Sequence, residues 1–188
     1  MRVERSFAFL DICGFTTFMD RHGDERAVLL LAAMRAELRE ASARHGIRIV
    51  KWLGDGAMLS STDPAALARL VVEVHSQLGR TVPSLKLRAG LDTGPVIMFE
   101  GDDYIGRPVN IASRLCNLAQ PGQILATATA AAAAQLPEWI KPSTETGVDI
   151  DGINDVIAVS ELREIRRNPP NTSPDAVRLL DWLRLSTG

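Results

Sequence analysis

Short apolar runs punctuate the chain, and each is too short for a helix of ordinary length. Phe7-Ala8-Phe9-Leu10 lies in a first such run, Ser6 to Leu10, which continues through Asp11 to Gly14. Ile47 to Leu53 alternates β-branched and apolar residues, and Ala57-Met58-Leu59 follows after Gly54-Asp55-Gly56. This pattern predicts core strands, the last two forming a buried hairpin whose glycines give the tip its backbone freedom. Between them, Ala27, Leu30, Leu31, Met34, Leu38 and Ala41 keep helical spacing over Asp24 to Arg44, with Asp24 as the expected N-cap and Gly46 as the stop. Asp63-Pro64 opens a second helix with Leu67, Leu70, Val71, Val74 and Leu78 on its core face, ending before Pro83. Leu85 to Leu91 and Pro95 to Phe99 flank Asp92-Thr93-Gly94, which reads as a further hairpin.

The order strand, helix, strand, strand, helix, strand is the split βαβ plan. The expected fold class is therefore α+β: a ferredoxin-like, mainly antiparallel sheet with helices on one face, plus C-terminal additions. Those additions are a helix from near Pro108, a short strand at Gln123 to Leu125, and an alanine-rich helix over Ala126 to Ala134 capped by Thr127 or Thr129. Two edge strands, Thr146 to Ile150 and Val156 to Ser160, would follow. Arg166 to Ser173 reads as a linker, and Ser173-Pro174 caps a last helix through Leu185. Residues 1–164 are expected to form one domain; residues 165–188 would pack on it or on a second copy.

Composition narrows the function classes. The chain has 188 residues, 46% of them hydrophobic and 23% charged, enough for a substantial core. A formal charge of −2 with scattered Lys and Arg gives no footprint for nucleic acid. No apolar run is long enough to span a bilayer and the N-terminus has no leader pattern, so a cytoplasmic protein with no membrane partner is expected. Cys13 and Cys116 suit packing in a reducing compartment, and His22, His45 and His75 lack metal-ligand spacing.

The candidate chemistry lies in two acids. Asp11 ends the first apolar run and Asp55 sits at the hairpin tip. Held at neighbouring strand ends, two carboxylates make an oxygen-ligand site for Mg²⁺ or Mn²⁺. Gly14, close behind Asp11, lets a polyphosphate approach the backbone. Asn110 and Arg114, four apart, project from one helix face. Asn110 sits between Val109 and Ile111 and is expected to be a partly buried amide with a partner.

Four segments carry a resemblance: Phe9 to Thr16 (FLDICGFT), Lys51 to Gly56 (KWLGDG), Gly90 to Val96 (GLDTGPV) and Val109 to Leu115 (VNIASRL). In order and spacing they resemble the successive motifs of the class III adenylyl and guanylyl cyclase catalytic domain, over about Ser6 to Leu162. The resemblance implies that Asp11 and Asp55, with the backbone carbonyl of Ile12, hold two Mg²⁺ or Mn²⁺ ions. Ile12, Phe15 and Thr16 would also lie against the substrate. Asn110 would orient the ribose, and Arg114 would neutralise charge on the α-phosphate. Lys51 and Asp103 would read the purine, and their donor and acceptor favour ATP over GTP. The implied reaction makes 3′,5′-cyclic AMP and pyrophosphate by in-line attack of the ribose 3′-hydroxyl. The implied assembly is a head-to-tail homodimer with shared sites, one chain giving the metal aspartates and the other Lys51, Asp103, Asn110 and Arg114.

One departure favours an alternative. Relatives often carry a lysine for the terminal phosphates where this chain reads Val148-Asp149-Ile150-Asp151-Gly152-Ile153, with Arg107 as a candidate replacement. A nucleotide-binding regulatory module with weak or no turnover is therefore the second reading, ahead of a guanylyl cyclase. The loop Phe99 to Asp103 is also short beside relatives that use it as a dimerisation arm.

Overall fold

A computed structural model describes residues 2–81, 86–100 and 103–165. The elements run β1 (Arg2–Cys13), α1 (Phe15–His22), α2 (Asp24–His45), β2 (Arg48–Leu53), β3 (Gly56–Ser61), α3 (Pro64–Thr81), β4 (Lys86–Phe99), β5 (Asp103–Ile105), α4 (Arg107–Leu118), β6 (Ile124–Thr127), α5 (Ala128–Ala133), β7 (Ile140–Pro142), β8 (Thr146–Val148) and β9 (Ile157–Glu164). The linker and last helix expected beyond residue 165 lie outside the described residues.

The sheet has the order β2-β3-β1-β4-β6-β9-β7, with β5 added to β4 and β8 to β9. Only the β4–β6 pairing is parallel among the described ladders, so the mainly antiparallel α+β plan holds. Alternation along β1 separates two cores. Ala8, Leu10 and Ile12 face α2 and α3, where Leu30, Met34, Leu38, Leu67, Leu70, Val71 and Val74 are buried. Phe7 and Phe9 face the other way, with Met58, Val96, Tyr104 and Ala112. The opposite face is thus covered as well, by α4. A Cβ on Gly90 would stand 2.2 Å from the Ala112 carbonyl oxygen and 2.3 Å from the Cys116 nitrogen, so α4 rests on bare β4 backbone there.

Several local expectations are corrected. Asp92-Thr93-Gly94 is not a hairpin: β4 runs straight through it, because β1 is long enough to pair with it from Arg2↔Ile97 to Cys13↔Lys86. The turn-like Gly94-Pro95 falls where β4 has no ladder on its other flank, between its pairings with β6 and β5, and a proline is tolerated there. Of the central hairpin only β3 is buried throughout. β2 is an edge strand and largely exposed, since half of its side chains have no layer over them. Asp24 is the first residue of α2 and Gly23 the N-cap, while Gly46 closes the helix in the left-handed region at φ 66°. Asp63 does cap α3, accepting from the Ala65 and Ala66 nitrogens at 2.8 and 3.1 Å. Thr127 caps α5 through Ala130 N. The strand expected to pair with the 146–150 stretch is longer than read and lies inside the sheet, between β6 and β7. Helix α1 and strands β5 and β7 are short enough to escape a periodicity argument.

Candidate functional site

Asp11 and Asp55 reach one hollow by different routes. Asp11 lies in β1, directly opposite Arg88 of β4. Asp55 follows Gly54, whose φ of 64° makes the tight turn of the hairpin tip. The tip is tied back to α2: Arg35 donates to the Gly54 carbonyl at 3.0 Å, and the guanidinium groups of Arg35 and Arg39 lie 4.9 and 5.2 Å from the Trp52 ring centroid. Gly56 lets the hairpin close on β1, since a Cβ there would stand 2.5 Å from the Leu10 carbonyl oxygen.

Asp11, Ile12, Phe15, Thr16, Asp55 and Arg88 all line a hollow of about 580 Å³. Partial burial, reinforced by the negative charge of Asp11, pushes the Asp55 carboxyl above its ordinary range. Arg88 answers Asp11 with two N–H groups on one oxygen: Nε and Nη2 donate to Oδ2 at 2.8 and 2.7 Å. Its third contact runs from Nη1 to the Asn117 carbonyl at the end of α4, 3.1 Å. Cys13 stands at the rim and Cys116 is buried, its thiol pushed up to about 12 chiefly by burial, so it serves as a packing group.

The donor set suits a hard cation. Among the described residues no three His, Cys, Asp or Glu side chains gather to enclose a metal. Two carboxylates with a neighbouring backbone carbonyl suit Mg²⁺ or Mn²⁺, which take few protein ligands and complete their shell with water and phosphate oxygens.

A separate hollow, about 780 Å³, is lined by Arg107, Asn110, Ser113, Arg114 and the acidic loop Asp151–Asp155. Asn110 is exposed, not partly buried as its apolar neighbours suggested: Ile111 and Ala112 turn inward and Asn110 turns out. Its side chain has no hydrogen-bond partner among the described residues, nor does that of Arg114. Arg107 donates to Asp155 Oδ2 at 2.9 Å, so its charge is already engaged. Lys51 and Asp103 line neither hollow and meet in a 2.9 Å ion pair that holds the Asp103 carboxyl below its usual range.

One chain therefore brings Asp11, Asp55, Ile12, Phe15 and Thr16 together, pairs Lys51 with Asp103, and sets Asn110 and Arg114 apart. Sequence reasoning missed Arg88, Arg35 and Arg39. Only strand register places Arg88 beside Asp11, 77 residues away.

Residues 4–157 match the family described as the adenylate and guanylate cyclase catalytic domain. An uncharacterized protein of Mycobacterium tuberculosis is 37% identical over 131 residues, covering 70% of this chain and 34% of that protein. A pH-sensitive adenylate cyclase of Mycobacterium tuberculosis is 32% identical over 118 residues, 63% of this chain and 29% of that protein. The chain spans about a third of the length of the curated relatives it matches. The crystal structure of the adenylyl cyclase CyaB from P. aeruginosa shares the fold, with a TM-score of 0.77 at 24% identity over 89% of this chain and 97% of that one.

Proposed function

The chain belongs to the adenylate and guanylate cyclase catalytic-domain family, and on that premise we propose that it is an adenylyl cyclase, turning ATP into 3′,5′-cyclic AMP and pyrophosphate at sites shared between two copies. The observation that carries the base preference is the Lys51–Asp103 pair, a donor and an acceptor held 2.9 Å apart. Adenine offers an acceptor at N1 beside a donor at its 6-amino group. Guanine offers the reverse order, and a fixed donor–acceptor pair then leaves polar groups unpaired.

Sharing is supported by the division of side chains. Asp11 and Asp55 line one hollow and Asn110 and Arg114 another, with no lining residue in common. A head-to-tail dimer would set the first hollow of one copy against Asn110, Arg114 and the Lys51–Asp103 pair of the other, giving two equivalent sites. Two Mg²⁺ or Mn²⁺ ions, held by Asp11, Asp55 and the Ile12 carbonyl, would supply the Lewis acidity that activates the ribose 3′-hydroxyl and holds the triphosphate. Phe15 and Thr16 line the same hollow, where they would lie against the substrate. Asn110, exposed and unpaired among described residues, is free to orient the ribose. Arg114, one helical turn on, is free to neutralise charge that builds on the α-phosphate.

A second reading has one observation behind it. Asp151 and Asp155 line the hollow of Arg114, and Arg107 is engaged by Asp155, so the formal charges of this rim cancel and it offers a triphosphate little net attraction. A nucleotide-binding regulatory module with little or no turnover would tolerate that. A guanylyl cyclase fits the Lys51–Asp103 pair less well. The test is chromatography of products from ATP and from GTP with Mn²⁺ or Mg²⁺, beside Asp55→Ala. Cyclic AMP that vanishes in the variant supports the enzyme; metal-dependent ATP binding with no cyclic product supports the module.

A further inference from the structure

The hairpin tip that carries Asp55 lies at the edge of the sheet. The β2–β3 ladder ends at Leu53↔Gly56, so Gly54 and Asp55 form a two-residue turn outside it. Turns of this kind differ by a flip of the central peptide, here the one joining Gly54 to Asp55. Glycine at position 54 permits either orientation at little steric cost. In this fold Gly54 has a φ of 64° and Asp55 does not take a positive φ, so one orientation is selected.

The ladder does not make that selection, and a contact from α2 can. Arg35 Nη2 donates at 3.0 Å to the Gly54 carbonyl oxygen, the oxygen of that same peptide. The guanidinium is itself held 4.9 Å from the Trp52 ring centroid, and its Nε is buried without a partner among the described residues. An unmatched buried N–H is a cost, which an arginine serving only as surface charge avoids by turning out to water. Arg39, one turn on, lies 5.2 Å from the same ring and makes no hydrogen bond to the tip among the described residues. The two arginines share a ring and differ in that one contact. Lys51, earlier in β2, is held separately by its ion pair with Asp103.

We propose that Arg35 is a positioning residue for Asp55, fixing the Gly54–Asp55 peptide so that the carboxylate is presented to the hollow it shares with Asp11. This rests on the reading of Asp11 and Asp55 as the metal-holding pair. Arg35 does not line that hollow, so it acts through the backbone of the tip and not on the ligand.

The test is Mn²⁺ binding to the full chain without nucleotide, read by loss of the free Mn²⁺ electron paramagnetic resonance signal. Arg35→Met keeps an apolar stem beside Trp52 and loses the donor; it is expected to weaken Mn²⁺ binding about 10-fold or more. Arg35→Lys, which can still donate to the carbonyl, should restore most of that loss, and Arg39→Met should bind as the unsubstituted chain does. The chemical shift of the Asp103 carboxyl, which reports the Lys51 pair, should stay unchanged in all three. Arg35→Gln, shorter and uncharged, gives the same comparison should Arg35→Met not fold. Mn²⁺ binding in Arg35→Met as tight as in the unsubstituted chain would overturn the proposal. A loss shared equally by Arg39→Met, or accompanied by a moved Asp103 signal, would overturn it too, since a role in holding the hairpin as a whole predicts those outcomes. Asp55→Asn keeps the two levels of the argument apart: binding that persists in Asp55→Asn, or an unsubstituted chain that binds no Mn²⁺, overturns the metal-pair reading and the proposal with it.

Discussion

Lys51 Nζ donates to Oδ1 of Asp103 at 2.9 Å, joining the edge strand β2 to the start of β5 across 52 residues of sequence. Both side chains are about half exposed, so the pair adds little to stability, and in the proposed function its value would lie in recognition. Removing the donor in Lys51→Ala is expected to lower kcat/KM for ATP by about 100-fold and to change that for GTP far less. The Asp103 carboxyl should then titrate higher than in the unsubstituted chain, with the Tyr104 backbone N–H as its remaining donor. Steady-state kinetics with both nucleotides, and a nuclear magnetic resonance titration of Asp103, check the two halves.

Asp55 carries a cost in the metal-free fold. Burial and the Asp11 charge raise its pKa, so ionising it at neutral pH works against the folded state. The sign follows: this penalty is absent below the unfolded pKa and grows as pH rises through the folded one. Asp55→Asn is therefore expected to raise the melting temperature of the metal-free protein at pH 7 by about 1–4 °C while abolishing turnover. Scanning calorimetry at pH 7 and pH 4 checks it, and the gain should shrink at the lower pH.

Asp92 offers a second pH-linked test, away from Asp11 and Asp55. It is 5% exposed, and its Oδ1 accepts from Thr127 Oγ1 at 2.6 Å and from the Thr93 nitrogen at 2.8 Å. Burial raises its pKa despite those bonds. Asp92→Asn keeps an acceptor and sheds the charge, so its stability at pH 7 should equal or exceed that of the unsubstituted chain, with the difference narrowing as pH falls through the carboxylate range. Asp92→Ala strands the Thr127 hydroxyl, which also caps α5, and should cost about 1–3 kcal/mol in urea unfolding.

Gly90 tests how α4 is seated. Any side chain there meets backbone atoms of α4 at 2.2 and 2.3 Å, and backbone cannot step aside as a flexible side chain can. Gly90→Ala should cost about 3 kcal/mol or more in chemical unfolding, and any folded remainder should lose turnover because Asn110 and Arg114 ride on the displaced helix.

What the sequence revealed, and what it hid, has a physical pattern. Asp11 and Asp55 drew notice through local signals, a short apolar run and a Gly-Asp-Gly tip, and they do line one hollow, although Asp11 lies inside β1, which runs on to Cys13, and not at its end. Helices α2 and α3 were legible because each carries a long apolar stripe. Arg88 was hidden because its partner is set by the β1–β4 register and not by spacing along the chain. The same long-range pairing overrode the turn-like Asp92-Thr93-Gly94-Pro95, which an isolated reading makes a hairpin. Asn110 misled for a related reason: its neighbours Ile111 and Ala112 point inward, and helical geometry turns Asn110 out. The placement of α4 on the second face depends on the bare backbone at Gly90, a feature visible only once β4 and α4 are packed.

The central claim is a cyclase whose sites are completed by a second copy, and mixing two inactive variants tests it most directly. Asp55→Ala removes the metal side and Arg114→Ala the phosphate side, and each is expected to be inactive alone while the unsubstituted chain makes cyclic AMP from ATP. Mixed in equal amounts, they should regain up to about a quarter of the unsubstituted activity, because half of a random dimer population carries one intact site in two. The specific rate of the mixture should rise with protein concentration. A mixture that stays inactive at every concentration beside an active unsubstituted chain would contradict the shared site, and an unsubstituted chain that makes no cyclic nucleotide would contradict the chemistry itself.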